Sequence, residues 1–149
     1  MAVLKWGKPK IEIAKILAGG TLDDWTTIDT PKQETSELAT EAGNKVEALE
    51  EGGGIVDVRY DKNKYTFTFQ LFAKSGTSKP IADVDGVILD NYAVRLTPED
   101  DALPGFIMDK TNVTVITTWN TTDGELWQYT FEGLVPATGA ILKPYVYTP

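Results

Sequence analysis

Asp83, Asp85, Gly86 and Asp90, in the run DVDGVILD, are the residues most suggestive of chemistry. Acidic side chains at alternate positions before a glycine are how a calcium loop begins, but such a loop needs another oxygen ligand after the glycine and a closing bidentate Glu. Val87 follows Gly86, and no Glu closes the run. The spacing fits better a turn whose Asx side chains bond their own backbone. Glu50, Glu51, Glu99, Asp100 and Asp101 could supply the paired carboxylates of a glycosidase. They stand in turn-like acidic clusters, without the apolar setting that raises a catalytic carboxyl's pKa. Gly52-Gly53-Gly54 lacks the GK[ST] and following helix of a phosphate loop, and reads as a bulge or close backbone approach. The chain has no His and no Cys. The usual neutral-pH base, the commonest transition-metal ligand and thiolate chemistry are therefore missing. These residues predict a protein that is not an enzyme and needs no cofactor.

Charge narrows the class further. The chain has 149 residues, 14 basic and 22 acidic, for a net charge of −8. The length suits one domain spanning residues 1–149. A net negative surface repels phosphates and anionic lipids, which argues against gripping nucleic acid or a membrane. Lys5, Lys8 and Lys10 precede no apolar segment, so no ordinary signal peptide is expected, and no apolar run is long enough to span a bilayer. Synthesis in the cytoplasm is the expectation. Asn112-Val-Thr and Asn120-Thr-Thr match the glycosylation pattern, which carries no weight without a secretory signal.

The elements that must position any site are strands. Residues 64–73 alternate Tyr65, Phe67, Phe69 and Leu71 with Thr66, Thr68 and Gln70. Residues 112–119 and 126–132 repeat the pattern through Val113, Val115, Thr117 and Trp119, and through Trp127, Tyr129 and Phe131. Period-two alternation of aromatic and β-branched residues with polar ones indicates half-buried antiparallel strands. Weaker strands are expected at 10–17, 25–29, 46–50, 54–60, 92–97 and 142–147. Asp61-Lys62-Asn63-Lys64 reads as a hairpin turn joining 54–60 to 64–73, and Thr121-Thr122-Asp123-Gly124 as one joining 112–119 to 126–132. The expected fold is all-β with antiparallel hairpins, a sandwich or barrel, and one short helix at 79–90.

Two features lie outside this frame. Trp119 and Trp127 fall on apolar strand faces and are expected in the core, whereas Trp6 and Trp25 lie outside clear strands and are candidate interface aromatics. The four Trp and six Tyr also admit a carbohydrate-binding sandwich. Residues 30–45 (TPKQETSELATEAGNK) hold no aromatic and one large apolar residue, Leu38. From Lys32 to Glu51 there are six Glu and two Lys. The stretch reads as a long polar loop, unusual in a compact domain unless it serves a partner. Deleting Thr35 to Ala42 is expected to leave the fold nearly intact and to abolish stacking between copies.

Thr40-Glu-Ala-Gly-Asn-Lys-Val-Glu-Ala-Leu-Glu-Glu-Gly-Gly-Gly, then Ile55-Val-Asp-Val-Arg-Tyr and Tyr65-Thr-Phe-Thr-Phe-Gln-Leu-Phe, resemble the phage major tail tube proteins. Asn91-Tyr-Ala-Val-Arg-Leu-Thr-Pro, the Trp119 hairpin and Lys143-Pro-Tyr are similar to tail proteins from phages or prophages of gut bacteria. The resemblance covers most of the chain. It implies a tail-tube-like β domain whose copies form a ring, usually a hexamer, stacked into a tube through which genome DNA passes without specific binding. Other tail proteins would be its partners and the virion tail its location. A tail terminator or minor tail protein is the related alternative. The resemblance further implies that the 30–45 loop reaches the neighbouring ring, with Lys32, Glu34, Glu37, Leu38, Glu41 and Lys45 as inter-ring contacts.

Overall fold

The computed structural model describes residues 4–148. Ten strands lie among the described residues: β1 Lys10–Lys15, β2 Thr26–Thr27, β3 Glu37–Glu41, β4 Lys45–Leu49, β5 Ile55–Tyr60, β6 Lys64–Phe72, β7 Tyr92–Thr97, β8 Gly105–Asn120, β9 Gly124–Gly133 and β10 Lys143–Tyr145. The fold is all-β and antiparallel. Its main sheet has the order β2-β1-β7-β8-β9-β6-β3, with β10 also on β8, while β4 and β5 pair only with each other.

The alternating residues do what their period requires. Phe67, Phe69 and Leu71 of β6, Val113 and Val115 of β8, and Trp127, Tyr129 and Phe131 of β9 all point into one core, joined by Ile11, Ile13, Val94 and Met108. Phe69 stacks between Tyr129 and Phe131, with ring centroids 6.0 and 5.7 Å away. The Tyr129 hydroxyl donates to the Ile81 carbonyl at 2.8 Å, and burial pushes its phenol up to about 12.

β8 closes the fold by bending. Phe67 lies level with Val113 across β9. The ring Phe67 touches is Phe106, 5.2 Å away by centroid. In a straight strand Phe106 would sit roughly 23 Å from Val113. A register shift between Tyr92 and Val94, opposite Met108 and Thr111, marks the bend, and both of those β8 residues are fully buried. The lower part of β8 therefore belongs to a half-sheet with β7, β1, β2 and β10, and the upper part to one with β9, β6 and β3. The two halves face each other across the aromatic core, which is the sandwich-like solution the strand pattern indicates.

Four expectations are corrected. Residues 79–90 form no helix: Val84 and Val87 bridge each other, and Asp85 and Gly86 take φ of 52° and 83°, which helical backbone excludes. Asp83 is the Asx anchor of that turn, accepting from the Gly86 amide and the Lys79 ammonium at 2.7 Å each, and these bonds hold its carboxyl below the ordinary value. Asp61-Lys62-Asn63-Lys64 is no hairpin turn, because β5 pairs with β4 and β6 with β3. Residues 30–45 are not one loop, because Glu37–Glu41 is the edge strand β3. Trp119 is 70% exposed, because the β8–β9 hairpin outruns the core. The turn at Thr121 to Asp123 does close that hairpin, with Gly124 at φ 74° and Asn120 Oδ1 accepting two turn amides.

The outer face of the lower half-sheet is covered by the chain itself. Glu12 and Arg95 pair through two hydrogen bonds of 3.0 and 3.2 Å. The guanidinium lies between the rings of Trp25 and Tyr145, 4.0 and 4.8 Å from their centroids. Arg95→Ala strands a buried carboxylate and removes the stacking partner of both rings. We expect a loss of about 3–5 kcal/mol, read from urea melts.

Candidate functional site

The upper half-sheet is open where the lower one is covered. Its order is β8-β9-β6-β3, and β3 is the terminal strand. At the opposite side β7 accompanies β8 only to Thr111, a single bridge links Val87 to Thr114, and Ile116 to Asn120 have no further strand beside them among the described residues. Each free stretch is five residues long.

Hydrogen bonds fix which backbone groups these edges offer. The Gln70 carbonyl accepts from the Lys32 amide, and the Gln70 amide donates to Thr35 Oγ1, so the Gln70 backbone faces the β3 side. Backbone groups of alternate residues in an antiparallel strand face opposite neighbours. Carried through the registers, this turns the amides of Leu38 and Thr40 outward from β3 and those of Thr117 and Trp119 outward from β8. The neighbouring Val115 carbonyl agrees, because it faces Gly86 on that same side. An edge with unpaired donors and acceptors is a template for another strand.

Beyond Lys64 of β6, which stands opposite Glu41, the outer face between these edges is mostly polar and free of cations. Its positions are Asn112, Thr114, Ile116 and Thr118 on β8, Glu132, Thr130, Gln128 and Leu126 on β9, and Thr66, Thr68, Gln70 and Phe72 on β6. None is Lys or Arg, and one is acidic. Gln70 and Gln128 bond across the strands at 3.2 Å.

The third feature is an arm. The β3–β6 register continues without slip into β4–β5: Glu37 faces Thr68, Glu41 faces Lys64, Lys45 faces Tyr60 and Ala48 faces Asp57. The four strands are thus one long ribbon, interrupted at Ala42 to Asn44 and Asp61 to Asn63. At the interruption the Gly43 amide donates to Asn63 Oδ1 and the Asp61 amide to the Asn44 carbonyl. A Cβ on Gly43 would lie 2.0 Å from the Asp61 carbonyl oxygen, so only glycine allows the arms to approach there. Beyond this point the ribbon stands clear of the domain. Val46, Leu49, Ile55, Val56 and Tyr60 are 44–69% exposed. The tip turns through Gly52 and Gly53 at φ 90° and 89°.

The residues expected at contacts divide among these features. Glu37 and Glu41 lie on the outward row of β3, opposite Thr68 and Lys64, while Leu38 points inward and packs on the core. Lys32 reaches back to Asp123 at 3.0 Å and ties the 30–36 segment to the β8–β9 turn. Lys45 opens the arm and pairs with Glu47 at 2.9 Å. Lys32, Glu34, Glu37, Leu38 and Trp6 line a groove of about 900 Å³, floored by Phe67 and Phe106. Trp6 is 73% exposed at its mouth. Trp25 is engaged within the chain, on Arg95.

The free β8 edge is missing from the sequence expectations, because nothing in the alternation at 112–119 shows where β7 stops. Val84 and Val87 near it, 76% and 57% exposed, belong to the segment expected to be helical. No group of His, Cys, Asp and Glu among the described residues could hold a metal ion. The chain matches no protein-family model and no curated protein sequence.

Proposed function

We propose that the chain is a structural, self-assembling subunit: copies join edge to edge into a ring, and rings stack into a tube of the phage-tail type that conducts DNA. The observation that carries this reading is the pair of free five-residue edges on one half-sheet. β3 of one copy added to the upper part of β8 of the next makes a head-to-tail contact, which closes on itself when the rotation between copies allows. The joint is antiparallel, since β3 and β8 run in opposite directions within the half-sheet. Closure removes the exposed edges that would otherwise aggregate.

The face bounded by these edges suits the wall of a conduit. Phosphate binding comes mainly from Lys and Arg, and this face carries neither from Asn112 to Thr118 of β8, from Leu126 to Glu132 of β9 or from Thr66 to Phe72 of β6, while Lys64 at the start of β6 stands opposite Glu41. The arm supplies contact along the tube axis. Six copies, passage of genome DNA, other tail proteins as partners and a place in the virion tail follow from the resemblance to tail tube proteins. Electron microscopy of the concentrated protein tests the reading. Rings or tubes about ten nanometres across are expected from packing six such domains. A chain that stays strictly monomeric at every concentration, with and without a nucleating tail tip, sinks it.

A further inference from the structure

We infer that the groove between the Lys5–Pro9 segment and β3 receives the glycine tip of the arm from a second copy of this chain. The inference rests on the self-assembly reading and adds to it the receiving surface.

Three observations meet here. The arm stands clear of its own domain. Its two strands pair only with each other, and a two-stranded ribbon is marginal in water without something to cover it. It nevertheless exposes Leu49, Ile55 and Val56 beside the tip. The groove presents apolar side chains. It is a concavity of about 900 Å³ with Leu38, Phe67, Leu96 and Phe106 in its lining and the exposed Trp6 at its mouth. The charges are complementary. Lys5 and Lys8 stand on one wall, and neither is paired with a carboxylate among the described residues. Glu50 and Glu51 at the tip are likewise unpaired among them. Glu34 and Glu37 line the groove as well, which orients the tip with its acids toward the lysine wall.

Glycine shapes the tip for such an entry. Three consecutive glycines leave it without side chains, and nothing in the chain lies within 4 Å of where a Cβ would stand on Gly52 or Gly53. The slim end can enter the groove while Leu49 and Ile55 cover its apolar rim. Tip and groove are different surfaces of one chain, so the contact is heterologous and propagates from copy to copy in one direction. The strand-edge joint builds the ring, and this contact builds the stack.

The chain contains no Cys, so introduced thiols report alone. Glu51→Cys and Lys8→Cys place one thiol on the tip and one on the groove wall, both at exposed positions. Leu89→Cys, 93% exposed and outside the groove, is the control. In oligomers of the full chain, the Glu51–Lys8 pair is expected to form disulfides between copies, and the Glu51–Leu89 pair is not. Lys5→Glu with Lys8→Glu should weaken stacking about tenfold, and adding Glu50→Lys with Glu51→Lys should restore it. Oligomers in which the tip links no better to the groove than to the control overturn the groove assignment and leave self-assembly standing. A chain that forms no oligomers overturns both.

Discussion

Proline at Thr40 together with proline at Thr117 is expected to keep the chain from closing rings while leaving the domain folded. Both residues turn their amides outward, away from the neighbouring strand of their own sheet. Neither substitution therefore removes a hydrogen bond from the isolated domain, and edge strands are where a sheet tolerates proline. Between copies the same change removes one donor from each face of the joint and places a ring where the partner backbone should approach. Each backbone hydrogen bond contributes about 1 kcal/mol net, and the steric block denies its neighbours as well. The association constant should fall at least about a hundredfold, measured by sedimentation. The urea midpoint should move little, because surface changes of this kind stay within roughly half a kcal/mol plus the strand cost of proline. Proline at Ala39 or Ile116, whose amides face inward to the ladder, should instead destabilise the monomer. That contrast separates an edge joint from general damage.

Removal of the arm is the second large effect. Excising Lys45 to Tyr60 and closing Asn44 to Asp61 with an Asn-Gly turn should leave the melting temperature nearly unchanged. The excised strands pair only with each other, and the Asp61 amide already bonds the Asn44 carbonyl at 2.8 Å, so the ribbon can end there. Rings should still form, and tubes should not. Deletion of Thr35 to Ala42 is a different experiment from the one the polar composition suggests. It removes β3 and Leu38, which covers the core beside Phe67. The monomer itself should then melt earlier, and a ring joint would be lost with it.

Much of this architecture was legible in local pattern. The alternation of Tyr65, Phe67, Phe69 and Leu71 placed β6, and that of Trp127, Tyr129 and Phe131 placed β9, because each side chain's face is decided by its neighbours two positions away. Asp123-Gly124 marked a tight turn whose φ needs glycine. What stayed hidden depends on distant pairing. β3 reads as a loop because an edge strand needs few apolar residues, and Leu38 alone carries its inward face. Asp61-Lys62-Asn63-Lys64 has turn composition but serves as an interruption within one long ribbon, a distinction set by the partner arm at Ala42 to Asn44. Trp119 keeps the period of β8 after the core has ended, so periodicity assigns it a face with nothing opposite. The groove joins the Lys5–Pro9 segment, the turn before β8 and the start of β3, parts no local window brings together.

The central claim is that the outward amides of Leu38, Thr40, Thr117 and Trp119 pair with another copy of the chain. Amide hydrogen exchange, compared between dilute and concentrated protein, tests it most directly. Rapid exchange of these four amides is expected in the dilute monomer and strong protection in the assembled state, appearing together on both edges. Assembled particles in which these four amides still exchange as fast as in the monomer would contradict it.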